Sequence, residues 1–460
     1  MSTPRSHAQH PAIRRYAEHV NPAFVRVLGM LGSGRVFVRA QGMHLWDHEE
    51  RRYLDFLASF GTVNLGHNPP ELIERLCHAL REDLPNVLHV GPQPLAAELA
   101  EELARRVPEL PIALFANGGG EAVEEALKLA RAATGRTQIV YCQRGYHGMG
   151  LGSLSVMDNE RMRKPFGPLV PACEAIPFGD VAALAGALKR SKVAAFVVEP
   201  VQAEAGVRLA PPGYLQEAQA LCRAHGALLV LDEVQTGIGR CGRTFAFQHE
   251  PGFTPDVLVL GKALGGSVVP ISVAMARREH AERAYGSMQT FDLHGSTFAG
   301  NAFACRAALE TLRILDRSEL AARSALLGER LLRGLRARLE GHPFVRDIRG
   351  QGLLVGVELG APERGFMERM IKIPVDLGWQ QVFGQWVAVR MLERGVVCQP
   401  ASQQWNVLKL EPPLVVSEAE IDAVVEALGQ VLDECKHLGS LAKDVAARYG
   451  RQMKEGWVFR

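Results

Sequence analysis

The stretch Ala227-Leu-Leu-Val-Leu-Asp-Glu-Val-Gln235 reads as an apolar strand that ends in two acids. Further along, Val257-Leu-Val-Leu-Gly-Lys-Ala-Leu-Gly-Gly266 reads as a second apolar strand, ending in a lone lysine between glycines. Outward from these two, residues 112–115, 138–141, 193–198 and 271–274 are also short apolar runs. Helical patterns occupy 121–133, 181–190 and 213–225 between them. Fully apolar strands alternating with helices predict an α/β fold with a mostly parallel sheet covered on both faces. In an open sheet of that kind, groups just past the carboxyl ends of strands face the ligand crevice. Asp232 and Lys262 are therefore the first candidate functional residues. An acidic loop cap and a snorkelling surface lysine are the ordinary alternatives for the two segments taken singly.

The remaining chain frames this unit. The turn signal Ala40-Gln41-Gly42 between 36–39 and 44–46 predicts a small hairpin. Pro69 and Pro70 open a helical pattern over 71–82, and Leu95, Leu99 and Leu103 mark a helix over 94–106. Long helices are expected at 302–315 and 320–339. After about 340, strands at 353–359 and 407–410 mix with helices, which predicts a smaller α+β domain. The first ~20 residues read as a weakly ordered arm. The expected division is 1–70 (arm and part of the small domain), 71–330 (large domain) and 331–460 (small domain).

Composition narrows the function classes. The 460 residues carry 52 Lys and Arg against 50 Asp and Glu, a net charge of +2. That balance argues against a nucleic-acid binder held mainly by phosphate contacts. The eight cysteines form no CxxC pair and no regular framework, which points to reduced thiols in a reducing compartment. The polar segment 1–22 lacks the apolar core of a signal peptide. The longest apolar stretch, 257–276, is broken by Lys262, Pro270 and three glycines, so no membrane span is expected. A soluble, cytoplasmic protein without a metal site is the expectation.

Lysine rarely sits among apolar residues unless it is paired or reactive. Desolvation disfavours its ammonium form and so favours the free amine that imine chemistry needs. Covalent catalysis through a pyridoxal cofactor requires such a lysine and a carboxylate for the pyridinium nitrogen. Neighbouring strands could deliver Lys262 and Asp232 to opposite ends of one cofactor. Phe115-Ala-Asn117-Gly118-Gly119-Gly120-Glu121 places three glycines before a helix, whose first amides would bind the phosphate. Glu124 and Lys128 on that helix have the spacing of an ion pair. Gly237-Ile-Gly239-Arg-Cys-Gly242 matches a dinucleotide fingerprint in spelling, but Arg243-Thr-Phe-Ala-Phe follows where a helix should open. A nicotinamide-binding or non-catalytic protein rests on that pattern alone.

At this level of detail the chain resembles the class III pyridoxal-phosphate aminotransferases, the family of ornithine, 4-aminobutyrate and putrescine aminotransferases. The resemblance runs from about 20 to 435. It is carried by Asn117-Gly-Gly-Gly-Glu121, Gly145-Tyr146-His147-Gly148, Glu199-Pro-Val-Gln-Ala-Glu204-Ala-Gly206, Leu231-Asp232-Glu-Val234-Gln235, Gly261-Lys262-Ala-Leu-Gly-Gly266 and His294-Gly-Ser-Thr297, in the family's order. It implies a fold-type I homodimer with pyridoxal 5'-phosphate at the subunit interface. By position, Lys262 would form the Schiff base and shuttle the proton, and Asp232 would hold the pyridine nitrogen. Val234 and Tyr146 would cover the two ring faces, Gln235 would approach the phenolic oxygen, and His147 belongs to the same cofactor-binding set. Gly118, Gly119 and Gly120 would line the phosphate. Thr297 would reach the phosphate in the neighbouring subunit.

The departures bear on substrate. Gly118 stands where the family usually has Ser or Thr. Met149 replaces the arginine that ornithine-type enzymes aim at the substrate carboxylate. Lys409 replaces the arginine of the motif that here reads Lys409-Leu-Glu-Pro-Pro-Leu414. Lysine binds a carboxylate as a point charge, without the bidentate fork. Glu204 matches the acid that pairs with this basic residue and opens for a keto acid; a fixed structural ion pair is the alternative. Phe60 and Met149 suggest a less polar amine site, suited to a terminal amine, a diamine or a larger ω-amino donor. Core roles for both residues are the alternative. The expected reaction is transfer of an amino group from such a donor to a keto acid or aldehyde. Aminomutase, racemase and decarboxylase chemistries on the same cofactor are the rival readings.

Overall fold

A computed structural model of the protein describes residues 10–87, 90–360 and 378–434. Three antiparallel strands come first: β1 (Phe37–Gln41), β2 (His44–Asp47) and β3 (Arg52–Asp55). The large unit contributes β4 (Ile112–Ala116), β5 (Gln138–Cys142), β6 (Cys173–Ile176) and β7 (Val193–Val198). A short hairpin follows, β8 (Val201–Gln202) and β9 (Arg208–Leu209), then β10 (Leu228–Asp232), β11 (Val257–Leu260) and β12 (Ser272–Ala276). The C-terminal part holds β13 (Val345–Gln351), β14 (Leu354–Leu359), β15 (Val396–Val397), β16 (Gln399–Ala401) and β17 (Gln404–Leu410).

Seven strands form the main sheet in the order β4-β12-β11-β10-β7-β5-β6. Only β12 runs against its two neighbours, β11 and β4. The mostly parallel, doubly covered sheet expected from the apolar runs is the one observed. Strands β7, β10 and β11 are buried along their whole length. Burying each Val or Leu in them contributes roughly 1.5–3 kcal/mol relative to exposure. The helix Gly119–Thr134 lays Val123, Ala126, Leu127 and Ala130 against this sheet and stops at Gly135, whose φ of 64° closes the last turn. Asn301 caps the helix Ala302–Arg317 by accepting from the Ala304 amide at 2.9 Å.

The second four-stranded sheet, β13-β14-β17-β16, is antiparallel. Strand β15 instead joins the N-terminal strands in the sheet β1-β2-β3-β15, pairing in parallel with β3 and tying them to the C-terminal part. Arg240 fastens the two sheets together. Fully buried, it donates to the Leu353 carbonyl at 3.0 Å, to the Pro412 carbonyl and to Asn64 Oδ1.

Three expectations need correction. The segment read as a weakly ordered arm contains a helix, Pro11–His19, with Pro at its start and the His10 ring accepting from the Ala12 amide. No residue of that helix is buried, so it left no apolar stripe to read. Strand β6, unforeseen, is the sheet edge, where Cys173, Glu174 and Ala175 are only partly buried. Glu124 and Lys128 do not pair with each other: Glu124 accepts from the Ser153 amide at 2.8 Å, and Lys128 donates to the Leu293 carbonyl at 3.0 Å. The residues after Gly237-Ile-Gly239-Arg-Cys-Gly242 form turns and a 3-10 helix, Ala246–His249, so no dinucleotide-type helix opens there. The tail at 440–460, with Trp457 and Phe459, lies outside the described residues. No helix among the described residues is long and apolar enough to cross a membrane.

Candidate active site

Loops after β4, β5, β7, β10 and β11 converge at the carboxyl ends of the parallel strands. Strands β10 and β11 lie side by side with Asp232 opposite Val259, so Asp232 and Lys262 emerge at adjoining strand ends. Asp232 is 4% exposed. Its Oδ1 accepts from the Val234 amide at 3.0 Å, and its Oδ2 from His147 Nδ1 at 2.7 Å. Burial alone would lower the His147 pKa, but the bond and charge of Asp232 overcome it and raise it. The histidine belongs to the motif Gly145–Gly148, and its partner stands 85 positions away, where no local pattern shows it.

Lys262 is half-buried in a left-handed backbone conformation, with φ of 44°. Such strain in a non-glycine residue gathers at functional sites. Burial lowers the lysine pKa; Glu204 and Glu411 offset that only in part. Its Nζ donates to Gln235 Oε1.

The glycines answer a packing demand. A Cβ on Gly119 would lie 2.7 Å from Val234 Cγ1, and one on Gly148 would lie 2.7 Å from Gly120 Cα. Glycine thus lets the helix start, the Tyr146–Gly148 loop and the Val234 turn close on one another. Ser272 Oγ donates to the Gly118 carbonyl at 2.8 Å and sets the entry to the helix. The first amides of a helix have no acceptor within it. A cavity of about 340 Å³ is lined by Gly118, Gly119 and Lys262, with Thr62 and residues 267–271.

These features test whether pyridoxal phosphate fits. Gly119 at the helix start and the desolvated amine of Lys262 line this cavity, the buried Asp232 carboxylate stands at the adjoining strand end, and the donor set suits a phosphate, an aldehyde and a ring nitrogen. The residues present fit the group. A Cβ at Gly118 meets nothing within 4 Å, so a larger residue has room there. Gly118→Ser should tighten cofactor binding about tenfold, since a hydrogen bond to a charged group contributes roughly 1.5 kcal/mol at the low end. Cofactor retention during dialysis measures this; unchanged retention would place the phosphate elsewhere.

Around this centre, Tyr146 is half-buried and its amide donates to Glu199 Oε1 at 3.0 Å. Burial pushes the Glu199 carboxyl up to about 8, against the pull of His147. The folded protein therefore keeps a proton that the unfolded chain releases near 4.5. This contribution to stability is full below about 4.5 and is lost as pH rises through about 8. Thermal unfolding of Glu199→Gln should lack that decline, while the wild type shows it; parallel pH profiles would contradict the assignment.

Phe60 lies in a left-handed turn, with φ of 46° at Ala58, 48° at Ser59 and 59° at Phe60. Asp55 Oδ1 holds the turn by accepting from the amides of Leu57 and Ala58 at 2.9 and 2.8 Å. The Phe60 ring centre sits 5.2 Å from Lys409 Nζ. Met149 is exposed, with its backbone amide against the start of the helix at Gly120. Lys409, on β17, is fully buried and donates to Glu204. Burial would raise the Glu204 carboxyl, but Lys409, Lys262 and the Ser402 amide hold it down at about 2. Glu204 sits in the loop between β8 and β9, whose Gly206 carbonyl accepts from Arg349 of β13. Glu411 completes the group and was not foreseen: it is fully buried, with Lys409 Nζ 2.8 Å from its Oε1. Thr297 is exposed, beside Ser296, whose hydroxyl accepts from Asn117 Nδ2 at 3.0 Å. No group of three or more His, Cys, Asp or Glu among the described residues could hold a metal ion.

A lysine and an aspartate at adjoining ends of a seven-stranded, mostly parallel sheet, opposite a glycine-started helix, define a fold-type I pyridoxal-phosphate enzyme. The model of the class-III aminotransferase family matches residues 32–432, and the chain belongs to that family. Its activity is accordingly that of a pyridoxal-phosphate-dependent aminotransferase. The aminotransferase PigE of Serratia sp. (strain ATCC 39006) is 36% identical over 93% of this chain. The chain spans only 54% of PigE's length, but 94% of the ornithine aminotransferase of Bacillus cereus (strain Q1), to which it is 35% identical over 86% of its own length. The crystal structure of the ornithine aminotransferase from Toxoplasma gondii ME49 superposes with a TM-score of 0.78 at 33% identity, covering 88% of this chain and 91% of that one.

Proposed function

We propose that the enzyme takes its amino group from a donor with a terminal amine, a diamine or larger ω-amino compound, and gives it to a keto acid or aldehyde. The observation that carries this reading is the pairing of Lys409 with Glu204 beneath the Phe60 ring, with Met149 where a carboxylate-binding arginine would stand. Ornithine, named in the relatives above, is a donor with such a terminal amine. When bound, pyridoxal phosphate supplies an electron-accepting ring for the pair of electrons left on the donor carbon.

The chain does the rest. Lys262 Nζ takes the proton from the donor carbon and returns one to the cofactor's C4′ carbon, a transfer suited to an amine whose pKa burial has lowered. Asp232, kept in place by His147 and the Val234 amide, would hold a proton on the ring nitrogen. Val234 and Tyr146 would cover the two ring faces. Gln235 would approach the phenolic oxygen, and Gly118, Gly119 and Gly120 would anchor the phosphate. Glu204 withdraws from Lys409 to admit the carboxylate of the keto acid.

Two copies form the working unit, with Thr297 of each reaching the phosphate of the other. Support comes from Met288, Phe291 and Phe298, exposed by 84%, 66% and 61% on the segment beside Asn117. Clustered apolar exposure of that kind marks an interaction surface. The protein works in the cytoplasm, a reading supported by seven described cysteines that are all free thiols. The division at 70 and 330 is supported by the β3–β15 pairing, which joins the first and third segments.

A terminal amine added alone should bleach the yellow absorbance of the bound cofactor, and a keto acid should restore it. A racemase or decarboxylase would show no such stoichiometric bleaching and recovery. An enzyme bleached only by α-amino acids that lack a terminal amine would overturn the donor assignment.

A further inference from the structure

The left-handed turn at Ala58, Ser59 and Phe60 continues through Gly61, at φ of 77°. In that conformation a Cβ crowds the following carbonyl, so three of the four residues resist it. Such a turn persists where its surroundings over-determine it. What it achieves is placement. It sets the Phe60 ring beside Lys409 and Thr62 in the wall of the cavity shared with Lys262. It also brings Gly61 so close to Gln235 and Glu411 that a Cβ there would lie 3.4 Å from each.

The surroundings act through Asp55. Its buried carboxylate accepts from the amides of Leu57 and Ala58 at Oδ1, and His67 Nε2 stands 2.8 Å from its Oδ2. Those two amides lie at the mouth of the turn. With Oδ1 committed to them, Oδ2 fixes how the carboxylate is rotated, and among the described residues His67 alone bonds to it. The buried Arg240 guanidinium also attracts Asp55, but it donates elsewhere, to the carbonyls of Leu353 and Pro412 and to Asn64. Arg240 thus favours the charge of Asp55 without directing it.

His67 is itself fixed. Its amide donates to the Gly42 carbonyl at 2.8 Å, and its carbonyl accepts from the Gly42 amide at 2.9 Å. Gly66, with φ of 81°, permits the approach, since a Cβ on it would lie 3.1 Å from Gly42 Cα. The turn between β1 and β2 therefore holds His67, His67 holds Asp55, and Asp55 holds the turn of Phe60.

We propose that His67 is a positioning residue for the donor site: through Asp55 it sets the left-handed turn that places Phe60, and so governs how tightly the amine donor binds without touching it. The proposal deepens the terminal-amine reading above and rests on it, with Phe60 as a wall of that site. A hydrogen bond carries the effect, and neutral imidazole donates from Nε2 as the charged form does.

Four measurements on the holoenzyme decide it. His67→Leu keeps the bulk without the donor; it should raise KM for 1,5-diaminopentane about tenfold and change kcat less than about twofold, the pattern of lost binding without lost chemistry. His67→Gln, whose amide nitrogen reaches the same oxygen, should restore the wild-type KM. In a Phe60→Ala background, His67→Leu should raise KM no further, because coupled residues do not add. Hydrogen exchange at the Leu57 and Ala58 amides, followed in peptides spanning 56–62, should quicken at least tenfold in His67→Leu and slow again in His67→Gln. Unchanged exchange, or the full KM increase in the Phe60→Ala background, overturns the proposal. If His67→Leu does not fold, His67→Asn, one bond too short to reach Asp55, takes its place; failure of both to fold overturns the proposal too, since His67 would then hold up the fold at large. Failure of any terminal amine to bleach the wild type would instead overturn the terminal-amine reading, leaving exchange to judge the hold of His67 on the turn.

Discussion

Lys262→Ala should lose amino transfer by at least about 10⁴-fold in kcat, the upper end of what one positioned acid–base group contributes. The loss is that large because one amine has two tasks, holding the cofactor aldehyde and moving the proton. Stability should hardly change. Lys262 donates to Gln235, and burial already disfavours its charge, so its removal takes away little favourable electrostatics. A shift within about 1 kcal/mol is expected, as for substitutions that open no core cavity. Circular dichroism and thermal unfolding would confirm the fold, and half-reaction absorbance would measure the rate. A variant that retained a tenth of wild-type turnover would place the chemistry on another residue.

Asp232 should show the opposite balance, with stability and rate both affected. Asp232→Asn keeps the volume and an acceptor for the Val234 amide, but removes the negative charge. A kcat loss of about 10²–10³-fold is expected, as when one preorganised electrostatic partner is removed. Asp232→Ala goes further, because it strands the fully buried His147 ring. Breaking a buried pair by removing one partner costs about 3–5 kcal/mol, and the lower figure applies because His147 can release its proton. Chemical unfolding would measure this cost. Equal stability for the Ala and Asn variants would mean that the His147 contact carries no load.

The contrast between these residues and Glu411 shows what a sequence can reveal. Asp232 and Lys262 are polar residues that end apolar strands, and in a parallel sheet that position has a chemical meaning. The three glycines that cap and open the helix Gly119–Thr134 are legible for the same local reason. Lys409 and Glu204 were paired through motifs, since 205 positions separate them. Glu411 escaped because its partner Gln235 lies 176 positions away and the residue sits between a strand and two prolines, with no periodicity around it. The left-handed turn at Ala58–Gly61 escaped for a different cause. Ala, Ser and Phe at positive φ contradict local preference, and only Asp55 and the tertiary packing impose it. The helix Pro11–His19 shows the converse, capped and started by local signals yet presenting no buried face to read.

The central claim is that the side-chain amine of residue 262 carries the cofactor. Borohydride reduction of the yellow holoprotein, followed by proteolysis and mass spectrometry, tests it most directly. The account predicts a stoichiometric phosphopyridoxyl group on the peptide containing Gly261-Lys262-Ala263, absent from Lys262→Ala. A fully loaded protein whose label maps to any other lysine, or that takes up no label, would contradict it.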